Sequence, residues 1–142
     1  MNNTNRLIID VPGYLNIDMQ IIGKVTVLCG DSGSGKTLLF KHIMASRNVS
    51  FPGKYSNIDL NKVTYWSDVC HINYNDTNKL IMIDRYPLFK RADPNIDKFI
   101  IESKNKFIIA SHVVVPGTVQ SDYYTVTYDM DKCKYIFKKY DW

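Results

Sequence analysis

Short apolar runs, and stretches in which apolar and polar residues alternate, follow one another along most of the chain. Arg6–Val11 predicts a strand, which ends at Pro12 and Gly13 because this dipeptide favours a turn. Residues 14–22 alternate with the period of two that is typical of a half-buried strand. Continuous apolar runs predict strands that are buried on both faces at residues 24–29, 79–84 and 107–110.

The spacing of other apolar residues predicts two helices. In Lys36–Ser46 the residues that would face the sheet recur at helical spacing: Leu39, Phe40, Ile43 and Met44. Asp93 as an N-cap and Pro94 at the first helical position predict a second helix, which runs through Ile96, Phe99 and Ile100 to about Lys104. Further strands are predicted at 63–66 and 69–74, and a terminal hairpin at 123–128 and 134–140.

The order of these elements predicts one α/β domain over residues 1–142. Buried strands alternate with helices, and this alternation implies a mainly parallel sheet that is covered by helices. We therefore expect a three-layer α/β fold with antiparallel strands at its N- and C-terminal ends. A chain of 142 residues with a hydrophobic fraction of 45% is large enough to bury one core.

The charge and the cysteines exclude several classes of protein. The net charge is +4, and the basic residues are spread along the chain, whereas nucleic-acid binding requires a concentrated basic face. The three cysteines include no Cys-x-x-Cys pair, so we expect reduced thiols and a cytoplasmic location, with no disulfide framework or zinc site. No apolar run approaches the roughly 20 residues of a membrane span, and no signal peptide is expected.

One segment carries a specific chemical signal. It matches the pattern G-x-x-x-x-G-K-[ST], the P-loop or Walker A motif, without a departure. Its residues are Gly30, Asp31, Ser32, Gly33, Ser34, Gly35, Lys36 and Thr37, and Leu38 follows directly. Glycines let the backbone N–H groups converge on phosphate oxygens, and the following helix presents its positive end to the same anion. In such a loop Lys36 would reach the β- and γ-phosphates, and the hydroxyl of Thr37 would bind Mg²⁺.

Two further polar positions follow buried strands. Asp84 ends the run Leu-Ile-Met-Ile, where a carboxylate would reach the metal ion held by Thr37, as in a Walker B motif. Ser111 and His112 end the run at 107–110, and we expect His112 to contact the γ-phosphate or to orient water. Lys36, Asp84 and His112 are therefore the candidate catalytic residues, with Thr37 and Asp84 as metal ligands.

The chain resembles a minimal ABC-type ATPase domain. The opening strands, the P-loop, the strand that ends at Asp84, the strand that precedes His112 and the terminal hairpin follow one another in the order found in that family. The resemblance implies the P-loop NTPase fold, binding of ATP and Mg²⁺, a homodimer or a protein partner, His112 as the switch histidine, and Tyr14 stacked on the adenine. The chain departs from the family at Arg85, which stands where the catalytic glutamate follows the aspartate, and it has no Leu-Ser-Gly-Gly segment. We therefore expect hydrolysis that is slow or depends on a partner. The absence of an Asn-Lys-x-Asp segment favours adenine over guanine.

Two other functions remain open. The segment Asp84-Arg85-Tyr86 is similar to a motif of thymidylate kinases, and this resemblance implies a small nucleotide or nucleoside kinase in which Arg85 binds a phosphate. Alternatively, the chain is a non-enzymatic binding or inhibitor protein on a P-loop scaffold. Its richness in Asn, Ile, Lys and Tyr indicates AT-rich coding DNA of the kind found in low-GC bacteria and their phages.

Overall fold

Nine strands form a single sheet in the computed structural model, which describes residues 5–30, 35–48 and 50–140. The strands are β1 (Arg6–Val11), β2 (Leu15–Gln20), β3 (Val25–Leu28), β4 (Tyr55–Ser56), β5 (Val63–Trp66), β6 (Leu80–Ile83), β7 (Lys106–Ala110), β8 (Tyr123–Asp129) and β9 (Lys134–Lys139). They lie in the order β4-β1-β2-β9-β8-β3-β7-β6-β5. The four P-loop residues that follow Gly30 lie outside the described residues: Asp31, Ser32, Gly33 and Ser34.

The strand directions divide the sheet into two parts. Strands β8, β3, β7, β6 and β5 are parallel to one another. The pairs β1–β2, β1–β4 and β8–β9 are antiparallel. The two parts are joined where β2 pairs with β9 in parallel, at Asn16 and Lys134.

Three α-helices accompany this sheet within the described residues: α1 (Lys36–Ser46), α2 (Tyr86–Ala92) and α3 (Ile96–Glu102). Helix α1 follows β3 through the glycine-rich segment and buries Leu39, Phe40 and Ile43 completely. Helix α2 has a proline in its first turn, where the missing N–H costs nothing. Short 3₁₀ turns occur at Leu60–Lys62, Val69–His71 and Gln120–Asp122.

The prediction of a three-layer P-loop fold with a mainly parallel sheet is wrong. Over the described residues the chain forms a curled mixed sheet of nine strands with three α-helices, and strand residues (34%) outnumber helical ones (26%). The terminal segments form antiparallel ribbons that extend the sheet, and so little helix cannot cover both faces of so many strands. The sheet therefore curls and covers part of its core with its own strands, since apolar strand faces must be buried.

The two buried clusters show where this curl lies. The first cluster joins α1 to strands from distant parts of the sheet, including Ile17 of β2, Val63 of β5 and Val126 of β8. The second cluster packs α2 and α3 against the other face, and its members include Ile83 and Ile109, which are completely buried. The strands β3, β6 and β7 contribute to both clusters and are buried on both faces, as their apolar runs predict.

Most of the predicted elements are confirmed, with end shifts of one or two residues. The strand predicted at 69–74 is wrong: Val69–His71 is a 3₁₀ turn, because the Asp68 carboxylate accepts a hydrogen bond from the N–H of Val69 and caps it. The sequence prediction also missed β4 and α2. The signal for α2 was Pro87, which stands where helices commonly accept proline.

Candidate functional site

Parallel strands bring their carboxyl ends to one edge of a sheet, and an open cavity of about 660 Å³ lies at this edge beside β3, β6 and β7. The segments that follow these strands supply Gly30, Asp84 and Ser111, and α1 adds its first turn. The described residues that line the cavity are Gly30, Gly35, Lys36, Thr37, Leu38, Asp84, Arg85, Ala110, Ser111 and His112. The three candidate catalytic residues therefore share one cavity.

Two glycines border the part of the P-loop that lies outside the described residues. Gly30 has φ 108° and Gly35 has φ 113°, a conformation that other residues rarely adopt. Gly35 directly precedes α1, and its carbonyl accepts the N–H of Leu39. The ammonium group of Lys36 donates to the carbonyl oxygen of Gly30 at 2.7 Å, so its side chain reaches back to the first residue of the motif.

A buried carboxylate lies opposite the first turn of α1. Asp84 is only 3% exposed and follows β6. Its Oδ2 accepts hydrogen bonds from the hydroxyl of Thr37 at 2.9 Å and from the hydroxyl of Tyr65 at 2.9 Å. Burial, together with the hydrogen bond to Asp84, raises the pKa of Tyr65, so this phenol stays protonated and donates. Thr37 and Asp84 are 47 residues apart in sequence, and the structure brings them into direct contact.

The chemistry of this pair fits Mg²⁺. Hydroxyl and carboxylate oxygens are hard donors, and Mg²⁺ is usually held by one or two protein oxygens together with water and substrate phosphates. The hydroxyl oxygen of Thr37 and Oδ2 of Asp84 are 2.9 Å apart, close enough for both side chains to contact one ion, and a buried carboxylate gains from a nearby cation. These two residues would hold the ion, which would supply charge neutralisation for bound phosphates.

Ser111 and His112 have different roles at the cavity wall. Ser111 is 3% exposed, and its hydroxyl donates to the carbonyl of Val113 at 2.7 Å and accepts the N–H of Val113 at 3.1 Å. These bonds fix the turn that follows β7. His112 is exposed and lines the cavity beside that turn, so its imidazole is accessible to a ligand.

Arg85 lies between two cavities. It adopts φ 57° and ψ 58°, the left-handed conformation, and its guanidinium donates to the carbonyl of Ser67 at 3.4 Å. It lines the first cavity and also a second one of about 490 Å³, whose other described lining residues are Thr37, Lys41, Tyr65, Ser67, Asp68 and Asp84. Strained backbone of this kind is concentrated at functional sites.

Two predicted nucleotide contacts lie at different places. Leu38 is 41% exposed and lines the first cavity from α1. Tyr14 is in the turn between β1 and β2, where its ring stacks on Phe51 at 6.0 Å with an interplanar angle of 12°. Tyr14 is not among the residues that line the first cavity, and its stacking on adenine stays a prediction.

The sequence prediction missed Tyr65. Residues 63–66 were predicted as a strand, but their partner was unknown. In the structure β5 pairs in parallel with β6, with Tyr65 opposite Met82, and this register places the tyrosine hydroxyl beside Asp84. No local pattern carries that register, so no signal in the sequence alone was available.

The known proteins offer no further guidance. Comparisons of the chain with protein-family models, with curated proteins and with solved structures found no match. Among the described residues, none of the helices has the length and apolar character that crossing a membrane demands. The cavity and its residues are therefore the basis on which a function can be inferred.

Proposed function

We propose that this chain binds ATP with Mg²⁺ in the first cavity. The observation that carries the proposal is the hydrogen bond between Thr37 and the buried Asp84, at the same cavity wall as Lys36. A threonine and an aspartate that meet beside a lysine preceded by a glycine are the donor set that a Mg–triphosphate complex uses. The three residues come from two separate segments, so a chance match to the motif would not bring them together.

Each residue has a role in this proposal. Lys36 neutralises the β- and γ-phosphates, and the N-terminus of α1 attracts the same negative charge. Thr37 and Asp84 hold the metal ion. His112, which is exposed at the cavity wall, contacts the γ-phosphate or orients a water molecule. Phosphate transfer of this kind depends mainly on positioning and charge neutralisation.

We propose that hydrolysis is slow, or that a protein partner or a second copy of the chain accelerates it. Asp84 is the only acidic residue among the described residues that line the first cavity, and it is committed to the metal ion. The next residue is Arg85, which cannot act as a general base. A turnover assay on the purified chain is expected to show little phosphate release, and rapid release by the monomer would contradict this part of the proposal.

We also propose that the chain works in the cytoplasm. Cys29, Cys70 and Cys133 are all free thiols, as in proteins of reducing compartments. Millimolar ATP and Mg²⁺ in that compartment would supply the ligand. Fluorescence microscopy of a tagged chain tests the location, and accumulation outside the cytoplasm would contradict it.

The second cavity favours one alternative, transfer of the γ-phosphate to a small acceptor. This cavity meets the first at Asp84 and Arg85, and Lys41 adds a second basic side chain. An acceptor with a phosphate or hydroxyl group would lie on the far side of the metal ligands, with Arg85 as its anion contact. Incubation with labelled ATP and a panel of nucleosides and nucleoside monophosphates tests it. Absence of a labelled product would remove this alternative.

Titration calorimetry with ATP and GTP, each with and without Mg²⁺, tests the main proposal. We expect binding of ATP that Mg²⁺ strengthens. Lys36→Ala should weaken binding of ATP by about tenfold or more, since it removes a charge that contacts phosphate. Lys98→Ala is the matched control, because Lys98 is an exposed lysine of α3 that is not among the residues that line the cavity. If the wild-type chain neither releases heat nor gains thermal stability with Mg–ATP, the proposal is overturned.

A further inference from the structure

Tyr65 is held rigidly beside the site although it belongs to neither motif. Its strand, β5, is the last of the sheet and pairs with β6, whose end supplies Asp84. On its other side the Tyr65 ring packs against Phe40 of α1, with 5.5 Å between the ring centroids. Phe40 is completely buried, so its ring leaves the tyrosine little freedom to turn.

The two hydroxyls that reach Asp84 are not equivalent. Both donate to Oδ2 at 2.9 Å, and the described residues supply no hydrogen bond to Oδ1. If Thr37 binds Mg²⁺, its oxygen lone pair must turn to the ion, and its own bond to Asp84 is altered. Tyr65 would not bind the ion, so its hydrogen bond persists whether or not metal is bound.

We infer that Tyr65 is a positioning residue, which holds the carboxylate of Asp84 by Oδ2 and leaves Oδ1 directed to a divalent cation. This inference rests on the proposed binding of Mg–ATP and adds a residue to the metal site. Such outer hydrogen bonds fix the orientation of a metal ligand, and their loss typically lowers metal affinity by about 10–100-fold. A carboxylate without this bond would rotate and would hold the cation less well.

Tyr65→Phe removes only the hydroxyl, and Tyr74→Phe is the matched control. The Tyr74 hydroxyl donates to a different carboxylate, that of Asp93 at 2.7 Å, outside both cavities. ATP affinity is measured by calorimetry over a series of Mg²⁺ concentrations. For Tyr65→Phe we expect the Mg²⁺ concentration at half-effect to rise about tenfold or more, with ATP affinity in the absence of metal changed less than about twofold. Tyr74→Phe should match the wild type in both quantities.

The outcomes separate this inference from the proposed function. Absence of ATP binding by the wild-type chain refutes both, whereas normal Mg²⁺ dependence in Tyr65→Phe refutes the positioning role alone. Should Tyr65→Phe not fold, 3-fluorotyrosine placed at position 65 keeps the hydroxyl. Its ¹⁹F resonance is expected to move when Mg²⁺ is added to the ATP complex, while the same label at Tyr74 stays in place. An unmoved resonance at position 65 would overturn the inference.

Discussion

Arg85 is in the left-handed conformation at φ 57° and ψ 58°, directly before α2. A side chain in this conformation costs about 1–2 kcal/mol, because its Cβ crowds the following carbonyl oxygen. Glycine avoids this cost but loses about 0.5–1 kcal/mol through the greater freedom of the unfolded chain. We therefore expect Arg85→Gly to raise the free energy of unfolding by about 0.5–1 kcal/mol.

Arg85→Ala provides the matched comparison, because alanine keeps the Cβ and therefore the backbone strain. The lost hydrogen bond to Ser67 is long, at 3.4 Å, and exposed, so it contributes little. We expect Arg85→Ala to stay within about 0.5 kcal/mol of the wild type. Urea unfolding followed by circular dichroism measures all three chains. A gain of this size in Arg85→Gly would raise the melting temperature by about 2–4 °C.

Ligand binding, in contrast to stability, is expected not to distinguish the two Arg85 variants. Both variants remove the guanidinium that lines the two cavities, so both should weaken a phosphorylated ligand there to a similar extent. Stability would thus separate glycine from alanine, and binding would not. If Arg85→Gly is no more stable than Arg85→Ala, the left-handed backbone at position 85 has no measurable cost and this prediction is refuted.

Three further predictions concern stability. Burial lowers the pKa of His42, so the folded chain favours the neutral ring, and the free energy of unfolding should fall as the pH drops below the ordinary value of 6.5. Urea midpoints at several pH values measure this, and midpoints that do not change with pH would contradict it. Burial raises the pKa of Tyr135, so stability should fall as the pH rises above the ordinary value of 10.0, and Tyr135→Phe should reduce this alkaline loss in the same assay. The buried side chain of Asn105 accepts the N–H of Lys79 and donates to the carbonyl of Asp76, both at 2.9 Å, so Asn105→Ala should cost about 1–3 kcal/mol in urea unfolding. A cost below about 0.5 kcal/mol would show that water replaces these bonds.

Local elements were predictable where one short segment carries the whole signal. The bounds of α1 follow from its apolar spacing, and the buried strands β3, β6 and β7 follow from continuous apolar runs. The strand predicted at 69–74 was wrong because a local interaction favours another structure there: the side chain of Asp68 caps a 3₁₀ turn. Helix α2 was missed because its N-cap is Arg85, which forms no side-chain capping hydrogen bond, so Pro87 was the one start signal and no capping residue supported it.

Some residues of the candidate site were likewise predictable from the sequence, and one was not. Lys36 and Thr37 were identified from spacing alone, since the motif is contiguous in sequence. That Asp84 lies near them was expected from the Walker B pattern, an apolar strand that ends in a carboxylate, and the structure places its carboxylate 2.9 Å from the hydroxyl of Thr37. Tyr65 could not be found, because its contact depends on the pairing of β5 with β6 and on the packing of Phe40.

By itself the sequence determined which segments are buried, where α1 begins and ends, and which residues are suited to a phosphate and a cation. These properties depend on neighbours along the chain. The tertiary structure alone decided the order of nine strands, the curl of the sheet and the second hydroxyl on Asp84. Strand order and register depend on contacts between residues far apart in sequence, and the same apolar pattern is compatible with a layered or a curled sheet.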